Sequence, residues 1–169
     1  MTKKPHNPRD AAVKGAPPAT QGKPRSVKID EREPPTTTEG LDGAMRALAL
    51  ALDKKALEPV LLDVRGLCSY CNYQLVVSGR SDRQVDAISD GIVVGLKVED
   101  LRPLGAEAAR SGQWSLLDYG DFVVHVFLHA VREHYDLEGL WNDAPRVPID
   151  VPADARIPAE DSYETSAVQ

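Results

Sequence analysis

The sequence predicts a mixed α/β fold with the element order α-β-β-α-β-β-α, and three observations predict it. Two short apolar runs, "PVLLDVRG" and "YQLVVSG", each end at a glycine and have the length and β-branched content of buried strands. Between them and the next strands lies "SDRQVDAISDGIVVGLKV", whose apolar residues recur at helical spacing. The stretch "WSLLDYGDFVVHVF", Trp114 to Phe127, then reads as a β-hairpin with two largely apolar faces.

The first element comes from "TEGLDGAMRALALALDKKA", where Leu41, Met45, Leu48, Ala49 and Leu52 fall on one helical stripe and Thr38 suits the N-cap. The two strand-like runs follow. The second helix opens with Ser81 three residues before Gln84, the pattern of a reciprocal capping box, and continues with Val85, Ile88, Ile92, Val93 and Leu96 on one face. "RPLGAEAARSGQ" reads as a loop. In the hairpin, Gly120 and Asp121 suit a two-residue turn, because glycine takes the positive φ such turns require. "HAVREHYDLEGLW" closes the domain as a last helix.

That turn pairs Tyr119 with Phe122 and sorts the hairpin into two faces. One carries Ser115, Leu117, Tyr119, Phe122, Val124 and Val126; the other carries Trp114, Leu116, Asp118, Val123, His125 and Phe127. Helices on one side of the sheet bury one set. The second set is either core beneath further helices or an exposed recognition surface. It mixes aromatic anchors with Asp118 and His125, which suits a docking patch better than a sealed core. On that reading the His125 imidazole donates to the Asp118 carboxylate.

Composition bounds the function. Residues 1–38 hold eight Lys/Arg against four Asp/Glu, leaving twelve against twenty-two in the rest of the chain. The acidic body is a poor match for broad contact with phosphate backbones, whose affinity comes from Lys and Arg. A protein partner or a basic surface fits better. The head also holds seven prolines and few large apolar residues, so residues 1–37 are expected to be a disordered, basic, Pro-rich extension. Residues 38–144 form the domain, and residues 145–169 are expected to be a flexible acidic tail. No apolar run approaches the roughly 20 residues of a membrane helix, and the N-terminus has no signal-peptide core, so the expected location is the cytoplasm.

The ordered motifs carry a resemblance. Asp63 and Gly66, Tyr73, Ser78-Gly79 with Ser81-Asp82-Arg83-Gln84, Asp118 with Gly120-Asp121, His125, and the run from Tyr135 to Trp141 resemble the ribosomal silencing factor family, RsfS or Iojap-related proteins, over about residues 41–144. The resemblance implies a nucleotidyltransferase-like α/β fold without known catalysis. It also implies binding to the large ribosomal subunit through its L-fourteen protein, which blocks joining of the small subunit when nutrients are scarce. Trp114, Leu116, Asp118, Tyr119, Val123, His125, Phe127 and Tyr135 are then the expected ribosomal-protein contacts. The alternative is an assembly factor for the same subunit, differing in timing rather than in contacts. An exposed sheet face also suits a homodimer of the free protein, and the basic head is a candidate contact for ribosomal RNA.

Other chemistry is weighed against simpler readings. Two-metal nucleotidyl transfer needs carboxylates at i and i+2 on a strand, and here the strand offers Leu116 and Asp118. An enzyme is not expected, nor is a cofactor. Gly79, Arg80 and Ser81 stand at a helix start where an anion could bind, with an ordinary cap the favoured account. Cys68 and Cys71 in "CSYC" have half the ligands of a closed zinc site, so no metal is expected, and packing is favoured over a reversible disulfide. His129 and His134 are expected to be solvated.

Overall fold

A computed structural model describes residues 39–108 and 112–158, so the expectations for residues 1–37, for Thr38 as a cap and for the end of the chain lie outside the described residues. Helix α1 (Leu41–Asp53) leads into strands β1 (Leu57–Asp63) and β2 (Tyr73–Gly79), then helix α2 (Asp82–Val98). Strands β3 (Gly105–Ala108), β4 (Trp114–Asp118) and β5 (Phe122–Leu128) follow, with helices α3 (His129–Tyr135) and α4 (Leu137–Leu140) last. The five strands form one sheet in the order β1-β2-β5-β4-β3. Only the central β2–β5 pair is parallel; the other neighbours run antiparallel.

The capping box predicts the start of α2 correctly. Ser81 Oγ accepts from Gln84 N at 3.2 Å, and the Gln84 side chain accepts in turn from Arg80 N at 2.7 Å. Val85, Ile88, Ile92 and Leu96 are buried beneath it. Helix α1 differs from the expected stripe. Its buried residues are Ala44, Ala47, Leu48 and Ala51, while Met45 and Ala49 face outward. Small residues let α1 lie close on the sheet: a Cβ on Gly43 would collide with the Phe122 ring.

These two helices cover one face of the sheet. Leu61 of β1, Tyr73, Leu75 and Val77 of β2, Leu117 of β4, and Phe122, Val124 and Val126 of β5 meet them there. The hairpin register is as expected, with Leu117 opposite Val124 and Trp114 opposite Phe127, and Gly120 takes φ +85° in the turn. Three expectations are corrected. The segment read as a loop supplies β3, a four-residue edge strand whose Gly and Ala content carries little strand signal. The last helix is broken at Asp136, which adopts φ +46° and whose carboxylate accepts from Gly139 N at 3.2 Å to start α4.

The third correction concerns residues 145–158, read as part of a flexible tail. They run along the outer edge of β1: Asp63 N donates to Pro145 O at 2.8 Å and Val147 N donates to Leu61 O at 2.8 Å. Val147 and Ile149 pack against the main core, and Ala155 is buried in a short 3₁₀ turn. An otherwise open strand edge is thereby covered, and proline is compatible with this position because it is needed there only as an acceptor.

Helix α3 is fastened to the opposite face by a buried arginine. Arg132 Nη1 donates to Ser78 Oγ at 2.9 Å and to Glu58 O at 2.6 Å, and its Nε donates to Glu138 at 2.6 Å. His129, expected to be solvated, lies 3.1 Å from the same Ser78 hydroxyl through Nδ1. Removing the guanidinium leaves the buried Ser78 hydroxyl and the carboxylate of Glu138 without their cation. Arg132→Ala is expected to cost about 3 kcal/mol in urea unfolding, and Ser78→Ala considerably less.

Candidate docking surface

The second face of the sheet is built from alternate residues of every strand. Val60 and Leu62 of β1, Gln74, Val76 and Ser78 of β2, Val123, His125 and Phe127 of β5, Trp114, Leu116 and Asp118 of β4, and Gly105 and Glu107 of β3 all lie on it. Much of it is covered by the chain itself. Cys71 and Ala144, with the partly buried Cys68 and Trp141, close over Leu62, Val64 and Val123 as a second small core. The face is therefore not the open recognition sheet expected from alternation: Val123 is 3%, His125 5% and Phe127 0% exposed.

A cavity of ≈ 550 Å³ lies beside Val60 of β1 among Glu58, His129 and Arg132, and over β3, β4 and β5 a groove of ≈ 390 Å³ stays open. Leu116, Val123 and His125 form its floor, Asp118 and Glu107 supply carboxylates, and Tyr70 stands as a wall. The structure thus brings together Leu116, Asp118, Val123 and His125 as expected. Tyr70, Gly105 and Glu107 join them without a signal in the sequence: the Gly and Ala content of β3 carries little strand propensity, and Tyr70 reaches the groove only through the fold of the β1–β2 connection.

Beside the groove the aromatic residues form one stack. The Trp114 ring lies 5.1 Å from Phe127, 5.1 Å from Tyr135 and 6.0 Å from His125. Tyr135, at 56% exposure, is the solvent-facing end of this stack, and Trp114 is half-buried within it. Tyr119 is separate. It lies against Phe122 at 4.8 Å on the helix-covered face, so it is not part of the groove surface.

The expected imidazole–carboxylate pair does not form. Trp114 Nε1 donates to His125 Nδ1 at 3.3 Å, and Asp118 Oδ1 accepts instead from Gly120 N at 2.8 Å, serving the hairpin turn. Accepting at Nδ1 requires a neutral ring. Burial favours the same form, pushing His125 down to about 4.

The wall residue Tyr70 sits in the β1–β2 connection, which is anchored at its start by a bidentate pair. Arg65 donates from Nε and Nη2 to the Asp63 carboxylate at 2.9 and 2.6 Å and lies over the Tyr73 ring. The hydrogen bond from Arg65 holds the Asp63 carboxyl below its ordinary value. At the candidate anion position Gly79 is buried at the end of β2, Arg80 is exposed, Ser81 caps α2, and Gln84 also donates to Lys55 O at 2.8 Å. Those groups serve the joint between α1 and α2. Among the described residues no cluster of three His, Cys, Asp or Glu side chains is placed to hold a metal ion, and no helix is long and apolar enough to cross a membrane.

Sequence comparison matches residues 37–169 to the family described as ribosomal silencing factor during starvation. The chain belongs to the ribosomal silencing factor family. It is 43% identical over 89 residues to the ribosomal silencing factor of Chromobacterium violaceum, a match covering 53% of this chain and 73% of that protein. With the Bacillus subtilis factor it shares 37% identity over 107 residues, covering 63% of this chain and 91% of the relative. The fold agrees with a crystal structure of a C. violaceum protein at a TM-score of 0.60 and 36% identity, covering 68% of this chain and 95% of that one. The matched span includes residues 145–158, consistent with their place against β1 in this member of the silencing factor family.

A pH dependence follows from His125. Its folded value lies below the ordinary 6.5, so its contribution to stability is complete above pH 6.5 and is lost as the unfolded chain takes up a proton between 6.5 and about 4. Urea titrations across that window should show a loss approaching roughly 3 kcal/mol. His125→Gln, which still offers an acceptor to Trp114 but does not titrate, is expected to flatten this part of the profile.

Proposed function

We propose that this chain silences translation by docking on the large ribosomal subunit through its L-fourteen protein and occupying the place where the small subunit must join. The observation that carries the reading is the groove: an apolar floor of Leu116 and Val123, the carboxylates of Asp118 and Glu107, and the exposed rings of Tyr70 and Tyr135 nearby. Such a surface suits a basic side chain with an aliphatic stem, where the stem lies on the floor and the charge meets the acids. Membership of the ribosomal silencing factor family supports the choice of partner.

Blocking subunit joining requires no chemistry. A folded body held by an interface of about 800 Å² per partner is sufficient. The groove and its aromatic border offer the anchors that dominate such interfaces. The acidic body disfavours loose contact with ribosomal RNA and leaves a basic protein as the preferred partner. Its place of action on this reading is the compartment that holds the ribosomes.

Sedimentation of purified large and small subunits with this protein at matched salt tests the reading. Wild type should travel with the large subunit and lower the joined-ribosome peak. Tyr70→Ala and Glu107→Lys change exposed side chains at the groove, and their unfolding curves should remain close to wild type. Together they should weaken binding by on the order of 2 kcal/mol or more and restore subunit joining. Binding to neither subunit by the wild type would refute the reading.

A further inference from the structure

The β1–β2 connection holds two thiols that docking does not use. Cys68 Sγ lies 3.6 Å from Cys71 Sγ, and both pack with Leu62, Val64, Val123 and Trp141. Cys71 is buried and Cys68 is only half-buried, so one sulfur can meet a solute while the other waits behind it. Between them in the chain stands Tyr70, 65% exposed and forming the wall of the groove. Gln74 lies beneath, fully buried, its amide nitrogen 3.5 Å from the Tyr70 hydroxyl and 3.8 Å from Cys71 Sγ. The Gln74 carbonyl oxygen has no hydrogen-bond partner among the described residues. The thiols, the wall and this amide form one connected unit.

We propose that Cys68 and Cys71 are oxidised to a disulfide by exchange with a small disulfide, and that closing the bond moves Tyr70 and alters the groove. The effect on docking rests on the function proposed above; the oxidation and the movement of the wall do not.

The exchange balances in two steps. Cys68 gives up its proton, and its sulfur attacks one sulfur of the small disulfide, whose S–S bond breaks and releases the first small thiolate. Cys71 then loses its proton, and its sulfur attacks Cys68 Sγ in the mixed disulfide and expels the second small thiolate. The two released thiolates take up the two protons, so the protein pair is oxidised by two electrons and the small disulfide is reduced to two thiols. Burial, followed by the neighbouring Cys68, pushes Cys71 up to about 12, which slows the second step. The contribution of a Cys68 thiolate vanishes once that sulfur is in the mixed disulfide. To bond, the sulfurs must approach to about 2 Å, which tightens the turn that carries Tyr70 and alters the contacts of Gln74.

The test equilibrates the full chain with mixtures of reduced and oxidised glutathione. Thiols are trapped by alkylation and counted by intact mass, while tryptophan fluorescence reports on Trp141 beside the pair and Trp114 beside the groove. In the wild type both thiols should disappear together with the loss of two hydrogens, and the fluorescence should change with the same midpoint. Cys68→Ala, at the half-buried position, should show no such transition. Oxidised wild type should be retained by purified large subunits about tenfold less well than reduced. Thiols that stay reactive at every ratio, or oxidation that stops at a glutathione adduct, would overturn the proposal. So would a closed disulfide with unchanged fluorescence and retention. If the reduced protein is not retained at all, the docking reading fails separately, and mass and fluorescence still decide the fate of the pair.

Discussion

The parallel pairing of β2 with β5 is the constraint on which the rest of the structure depends. These strands occupy the middle of the sheet, and their side chains are buried on both faces, from Tyr73 through Gly79 and from Phe122 through Phe127. A parallel pair cannot be joined by a tight turn. The chain leaves β2 through α2, builds β3 and β4, and only then returns as β5. This crossover places α2 on one face, where α1 lies beside it. The second face then needs cover from segments that are neither long helices nor strands.

That second cover is assembled from small pieces. The β1–β2 connection contributes Cys68 and Cys71, the region after α4 contributes Trp141 and Ala144, and α3 is held down by Arg132 on Ser78. The pieces suffice over β2 and much of β5, and over β1 they leave a cavity beside Val60. Over β3 and β4 they run out, and the groove lies there. Incomplete cover of the sheet explains why the groove has an apolar floor while its border carries Glu107, Asp118 and Tyr70. His125 belongs to both parts: it is buried, bonded to Trp114, and still forms part of the floor.

The edges of the sheet are treated unequally. The β1 edge is closed by Pro145 to Val147, which leaves Val147 and Ile149 on the main core. The alternation of Val147, Ile149 and Val151 is a strand signal, but proline-rich composition conceals it. The β3 edge is short, and apart from Glu107 its residues are Gly and Ala. A strand of that length offers little to an unwanted partner strand, and it leaves room above it for the groove.

Local chemistry by itself determined much of this protein: the Ser81–Gln84 cap, the span of α2, β2 and the register of the hairpin all follow from residues within a few positions of one another. The two faces of β4 and β5 were legible for the same reason, since alternation is a property of the strand alone. Only the tertiary structure decided which parts of the second face are covered. Val123 and Phe127 are hidden by segments distant in sequence, and His125 takes its hydrogen bond from Trp114 across the strand pair rather than giving one to Asp118. Periodicity assigns a side chain to a face, but burial depends on what the rest of the chain lays over that face, and that is fixed by packing between residues far apart in the sequence.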